Sequence, residues 1–161
     1  MTDRQPLRKR ILALDLGEVR TGVAVSDPFG WTAQPIEVIQ TRSTDHLIRR
    51  IGELVREYEV ETLLVGMPLN MDGTEGAQAR WVRQFGARLS REVPGPEIVY
   101  WDERLTTFES EEVLIESGVK SRKRKSRRDK IAAALILRSY LEHQRQTRPS
   151  EPSPSDPPSA S

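Results

Sequence analysis

Residues Arg10 to Leu16 read Arg-Ile-Leu-Ala-Leu-Asp-Leu, a short apolar run with a single acid inside it. A half-exposed strand alternates apolar and polar side chains. This run is apolar at both parities, the pattern of a strand buried on both faces, as in an α/β sheet covered by helices. Asp15 is the sharpest residue of the chain, because an ionised carboxyl there is expensive unless it is paired or holds a metal. The competing reading is a strand-end Asp that accepts backbone hydrogen bonds in the next turn. Gly17 and Gly22 allow a tight turn and the close approach of a phosphate or a second strand.

The remaining elements follow from periodicity and punctuation. Gly22 to Ser26 reads as a second strand after a brief turn, and a third, about Thr32 to Ile39, follows Pro28-Phe29-Gly30. Connections this short join antiparallel neighbours, so strands one and three point the same way. Ser43-Thr44-Asp45 offers an N-cap, and Leu47, Ile48, Ile51, Leu54, Val55 and Tyr58 recur at helical spacing. Glu61 to Gly66 is then a fourth strand, made parallel to the third by the helical crossover. A second helix from near Thr74, with Ala77, Trp81, Phe85 and Leu89 on one stripe, leads past Pro94-Gly95-Pro96 to a fifth strand, Glu97 to Trp101. Thr106 and Glu109 form a capping box for a third helix that Gly118 closes. The last helix runs from about Arg127 to Gln144 and carries Ile131, Leu135, Leu137 and Leu141. The order βββαβαβαα predicts a mixed five-stranded α/β sheet with helices packed on it and strands one, four and five parallel.

The working domain is residues 9–144, with a flexible N-terminus at 1–8 and a disordered tail at 145–161. Thr147 to Ser161 holds five Pro, five Ser and one possible core residue, Ala160, too little apolar area to offset its ordering entropy. The absence of Cys excludes a disulfide framework, a thiolate nucleophile and a thiol metal site. The longest apolar run, Ile131 to Leu137, is too short for a bilayer of about 30 Å, and the first residues lack a signal-peptide core. A cytoplasmic protein with no membrane partner is the expectation. The net charge of +1, from 25 basic and 24 acidic residues, conceals a polarised chain. Lys120 to Lys130 holds eight basic residues and one acid, a local charge of +7, and the rest sums to −6.

In open α/β sheets, ligands gather beyond the carboxyl ends of the parallel strands. Three polar clusters fall there: Asp15-Leu16-Gly17, Gly66 to Gly73, and Asp102-Glu103-Arg104. Glu103 reads as a site acid, or as a surface partner of Arg104 or a helix-start acid. Asp129 reads as a site acid, or as the last residue of the capping box Ser126-Arg-Arg-Asp129. Gly66 to Gly73 has good turn chemistry, and Asn70 with the amides of the next helix start could also hold a phosphate. The basic run is a solvated loop unless it overhangs the acids, where it would bind a polyanion. Asn70, Arg104, Lys123, Arg124, Lys125, Arg127 and Arg128 are the candidate nucleic-acid contacts. His46 and His143 read as surface residues, and the three Trp are too scattered for a stacking platform.

These residues resemble the YqgF family, also called RuvX, bacterial RNase H-like proteins described as pre-16S rRNA nucleases or Holliday junction resolvases. The match runs from about Arg10 to Glu142. It rests on Leu-Asp15-Leu-Gly17 through Gly22-Val-Ala-Val-Ser-Asp27, Val-Gly66-Met-Pro68-Leu-Asn70-Met-Asp72-Gly73, Asp102-Glu103-Arg104-Leu-Thr106-Thr107 and Asp129-Lys-Ile-Ala-Ala-Ala-Leu-Ile-Leu. The resemblance implies an RNase H-like fold and an acidic catalytic and metal site of Asp15, Glu103 and Asp129. The chemistry it implies is phosphodiester hydrolysis assisted by two divalent ions about 4 Å apart, Mg²⁺ or Mn²⁺ in an all-oxygen site. It implies a nucleic-acid partner, RNA ahead of DNA, with processing of the 5′ end of precursor 16S rRNA as the leading role. There is one departure. Resolvases of the wider superfamily carry two acids about a turn apart at the start of the last helix, whereas the turn neighbours of Asp129 are Ser126, Ala132 and Ala133. Junction resolution and a catalytically silent RNA-binding role in ribosome assembly or transcription stay open at this point, as do monomer and homodimer. Actin-like ATPases share the Asp-x-Gly turn, but need two such domains to enclose a nucleotide.

Overall fold

A computed structural model describes residues 10–106 and 121–147, with side chains described for 10–106 and 131–147. Five strands, β1 (Arg10–Asp15), β2 (Arg20–Ser26), β3 (Ala33–Gln40), β4 (Val60–Met67) and β5 (Glu97–Asp102), form one sheet in the order β3-β2-β1-β4-β5. The first three form the expected antiparallel meander, and β1, β4 and β5 are parallel. Three α-helices accompany them: α1 (Thr44–Glu57), α2 (Ala77–Glu92) and α3 (Ser121–Thr147). The helix expected between Thr106 and Gly118, the flexible N-terminus and residues 148–161 of the expected tail lie outside the described residues, whereas residues 145–147, expected in that tail, are the last residues of α3. Among the described residues, no helix is long and apolar enough to cross a membrane.

The two faces of the sheet are built differently. Alternation along β1 sends Leu12 and Leu14 to one side, where they join Val23, Val25, Leu63 and Val65 and pack against Leu47, Ile51 and Leu54 of α1 and Val82, Phe85 and Leu89 of α2. The opposite parity carries Ile11 and Ala13, with Ala24 and Leu64 from the neighbouring strands, and meets Ala133, Ile136, Leu137 and Leu141 of α3. Large branched side chains thus fill the first face. Alanines on both partners bring α3 close to the second.

Helix ends and stripes depart from expectation in ways that packing explains. Ser43 caps α1 through a hydrogen bond from the His46 amide (3.2 Å). The α2 helix starts at Ala77 rather than near Thr74, because residues 70–74 are held in a turn. Its buried stripe is Ala79, Val82, Phe85, Gly86 and Leu89, while Ala77 is exposed and Trp81 half-buried. On α3 the buried stripe is Ala132, Ala133, Ile136, Leu137 and Leu141, and Ile131 and Leu135 are only partly covered. An uninterrupted apolar stretch carries no polar residue to mark which side faces out. Among the described residues α3 is already helical at Ser121, upstream of the start expected near Arg127. Lys and Arg are good helix formers, and no Gly or Pro interrupts them. Ser126-Arg-Arg-Asp129 therefore lies inside the helix and does not open it, and residues 121–130 of the basic run are helical rather than a loop.

Two helical glycines test this packing in opposite directions. A Cβ at Gly52 of α1 would meet Val93 Cγ2 at an ordinary 3.7 Å, whereas one at Gly86 of α2 would collide with the Tyr100 hydroxyl. In urea melts, Gly52→Ala is expected to stabilise the fold by up to about 1 kcal/mol through helix propensity. Gly86→Ala is expected to destabilise it by about 1–3 kcal/mol through overpacking.

Candidate active site

Asp15 is the last residue of β1, and its parity places it on the face that α3 covers. Its partner on β2 is Gly22. On β4, Leu14 aligns with Val65, so the next step along the strand sets Gly66 beside Asp15. Glycine on both flanking strands leaves open space at this corner of the sheet, and Glu103 fills part of it. A Cβ at Gly66 would lie 2.6 Å from Glu103 Oε1 and 2.9 Å from Ile136 Cδ1. Here a strand glycine marks the close approach of another side chain.

Glu103 reaches that space from a single 3₁₀ turn, Glu103–Leu105, directly after β5. Asp102 organises the turn. Its carboxylate accepts the Arg104 backbone N–H (3.0 Å) and is gripped by the Arg104 guanidinium, Nη2 to Oδ2 at 2.7 Å. These bonds hold the Asp102 carboxyl below the usual carboxylate range. Arg104 is thus committed to Asp102, and the surface pair with Glu103 weighed from sequence is not the arrangement found. Glu103 instead turns inward and forms a side-chain hydrogen bond with Asp15.

Two carboxyl groups can share a hydrogen bond only if a proton lies between them. Burial raises the Glu103 carboxyl above its ordinary range; the bond with Asp15 opposes that rise and the nearby charge of Asp102 adds to it. Asp15 and Glu103 are both half-buried, so water reaches them only in part.

Asp129 lies on α3, and its side chain is outside those described. The helix backbone gives its position. Leu141 lies by Gly30 and Arg145 by Trp31, both on the β2–β3 turn at the sheet edge opposite Asp15. Ile136 lies against Gly66, and Asp129 is seven residues nearer the helix start, about 10 Å of rise. Lys123, Arg124, Lys125, Arg127 and Arg128 occupy the same initial turns of α3. Among the described residues no group of three or more His, Cys, Asp or Glu is placed to hold a metal ion.

Asn70 has a structural task. Its Nδ2 donates to Thr74 Oγ1 (3.0 Å), and its backbone N–H to Thr74 O (2.9 Å), within the turn that precedes α2. Arg104 has one too, since its Nη1 donates to Met71 O (3.2 Å) and ties that turn to β5. His46 and His143 are exposed as expected, though His143 also sits edge-on to Trp101, with ring centroids 5.3 Å apart. Sequence reasoning passed over Asp102, which sets the direction of its neighbour, and Gly66, which was read only as part of a turn. A glycine closing the apolar run Thr-Leu-Leu-Val-Gly was the available signal.

Residues 9–143 match the family described as "RuvX: Holliday junction resolvase". The chain belongs to the RuvX family. Among curated relatives, a protein of Acetivibrio thermocellus named "Putative pre-16S rRNA nuclease" is 46% identical over 134 residues, covering 83% of this chain and 95% of the relative. One of the same name from Halothermothrix orenii is 47% identical over 135 residues, covering 84% and 96%. Among solved structures, RuvC of Thermus thermophilus in complex with a Holliday junction substrate superposes with a TM-score of 0.55 at 18% identity, over 84% of this chain and 96% of that one. That likeness establishes for this RuvX chain the RNase H-like fold that the motifs implied.

The raised Glu103 carboxyl makes stability depend on pH with a definite sign. The native state keeps a proton that the unfolded chain has already lost, so stability is fully present below the ordinary Glu range and falls as pH rises through the raised value. In chelator, thermal melts of the unaltered protein from pH 4 to 8 are expected to show this loss. Glu103→Gln is expected to flatten it and to raise the melting temperature at pH 8; parallel curves for the two proteins would contradict the assignment.

Proposed function

We propose that this RuvX chain is a metal-dependent nuclease that hydrolyses phosphodiester bonds in structured RNA, processing the 5′ end of precursor 16S rRNA in the cytoplasm. The observation that carries this reading is the hydrogen-bonded Asp15–Glu103 pair at the carboxyl edge of the parallel strands. Two half-buried carboxyls held this close can both ionise only beside compensating positive charge. The adjacent Arg104 is already spent on Asp102.

An all-oxygen donor set of this kind fits Mg²⁺ or Mn²⁺. Asp15 and Glu103 would hold the ions, with Asp129 as the ligand contributed by α3. When bound, such ions supply Lewis-acid stabilisation of the charge that develops on the phosphate and on the departing 3′ oxygen. The residues must first release their shared proton, so ion affinity rises with pH. Hydrolysis adds water to phosphorus, breaks the P–O3′ bond and delivers a proton to the 3′ oxygen. The 3₁₀ turn and its Asp102 cap keep Glu103 aimed inward throughout. Lys123, Arg124, Lys125, Arg127 and Arg128 are the groups that draw in the RNA backbone.

Two observations favour ribosomal RNA over a four-way DNA junction. Relatives at 46–47% identity, matched over nearly their whole length, are named for pre-16S rRNA, whereas the junction-bound RuvC supports the fold alone. Ala132 and Ala133, a turn beyond Asp129, are buried, so neither position offers the second helix acid of the junction resolvases. The family description keeps junction resolution as the second reading.

The test is cleavage of a 5′-extended 16S precursor and a four-way DNA junction side by side in Mg²⁺ or Mn²⁺. The precursor is expected to be cut in preference to the junction. Asp15→Asn is expected to abolish cleavage while leaving the fold and RNA binding largely intact, and undiminished cleavage would remove Asp15 from the site. Replacing Lys123, Arg124, Lys125, Arg127 and Arg128 by Ala is expected to weaken RNA binding. It should also flatten the log–log salt dependence by about one for each phosphate that is no longer neutralised, without removing metal binding.

A further inference from the structure

Four large apolar side chains stand exposed in the described structure, and two of them, Met71 and Leu105, adjoin the carboxylate edge. Met71 is 97% exposed and Leu105 56%. A long apolar side chain on a slack loop can fold down onto the nearest apolar surface, but Met71 rides on a turn that is tied on every side. Gly73 N–H donates to Asn70 O (2.9 Å), closing a four-residue turn in which Gly73 takes φ 87°. Asn70 N–H donates to Thr74 O (2.9 Å), and the Asp72 carboxylate accepts both the N–H (3.0 Å) and the hydroxyl (2.6 Å) of Thr74. Arg104 then grips the Met71 carbonyl while its guanidinium is clamped on Asp102. The turn is therefore a rigid mount for one side chain, fastened to the residue next to Glu103.

Position and size together identify what such a tip meets. The turn follows β4, whose Gly66 flanks Asp15, and Arg104, the residue after Glu103, is bonded to it, so a strand whose phosphate lay at Asp15 and Glu103 would run along the edge that carries Met71. One Met with a Leu nearby falls well short of the several hundred Å² of apolar surface that marks a protein interface, but suits the face of a single base. Apolar side chains of this shape enter base steps or cover unstacked bases, and stacking of that kind tolerates any sequence.

We propose that Met71 is a base-stacking residue for the substrate, packing against a nucleobase beside the scissile phosphate and favouring RNA in which that base is unpaired or splayed from its neighbour. This rests on the nuclease reading above. It makes the junction between a 5′ single strand and a duplex the preferred form of substrate.

The test uses the full chain carrying Asp15→Asn, which binds without cutting, and an RNA hairpin with a 5′ extension that has 2-aminopurine at successive positions across the strand–duplex boundary. Binding is expected to change the fluorescence several-fold at one or two adjacent positions. Adding Met71→Ala should cut that change by more than half and weaken affinity about tenfold, while Met71→Leu preserves both. In the protein with Asp15 intact, Met71→Ala is expected to slow cleavage of the normal hairpin. It should have little further effect on a hairpin made abasic at the responsive position, the non-additivity expected of a pair in contact. If RNA is bound and cut yet fluorescence and cleavage are indifferent to Met71→Ala, the stacking role is overturned and the nuclease reading stands. If the Asp15→Asn chain binds no RNA and the unaltered chain cuts none, the nuclease reading falls and the stacking role with it.

Discussion

Asp15 and Glu103 meet inside a corner of the sheet where a single carboxylate is costly and two are prohibitive without a proton or a cation between them. Much of the surrounding structure serves that meeting. Gly22 and Gly66 flank Asp15 on the neighbouring strands, the 3₁₀ turn after β5 aims Glu103 into the space beside Gly66, and Asp102 engages the Arg104 guanidinium.

The asymmetry of the two sheet faces has the same logic. The α1 and α2 side is packed with Leu, Val and Ile and carries most of the buried apolar area, so it is the main source of hydrophobic stabilisation. The α3 side is lined by alanines near its middle and by the carboxylates at one end, a poor place to gain stability and a good one for close backbone approach. The candidate site lies on the thinner face, away from the thicker packing that supports the fold. The Trp101 ring, buried on the α3 side edge-on to Tyr140 at 5.4 Å, secures the β5 edge from which Glu103 departs.

Much of this was legible in the sequence, for identifiable reasons. Strand parity, short hairpin connections and helical crossovers have few geometric solutions, so the meander, the parallel trio and the convergence of Asp15 and Glu103 on one edge follow from the residues alone. Rotational details did not follow. Apolar stretches such as Ile131 to Leu137 carry no polar mark, and only the packed Ala132, Ala133 and Ile136 reveal which side of α3 faces the sheet. The early start of α3 was hidden because like charges suggest a loop, whereas Lys and Arg favour helix once one is nucleated. The partner of Arg104 was hidden as well, since Asp102 and Glu103 are adjacent acids and only the tight turn decides which one turns back to the guanidinium.

The helical start of α3 also changes what the chain's charge polarity means. A basic loop would move independently of the core, and its attraction for a polyanion would not specify where that polyanion lies. Residues 121–130 belong to the same continuous helix as Ala133, Ile136 and Leu137, which are locked against β1, β2 and β4. Residues 121–130 therefore continue a helix that packs on the sheet, and their backbone, unlike that of a loop, has a set direction from the core. The near-zero net charge of the chain is therefore the sum of two opposed parts, a run of +7 at Lys120 to Lys130 and a remainder of −6, and ten of the eleven residues of that run belong to the helix that packs on the sheet.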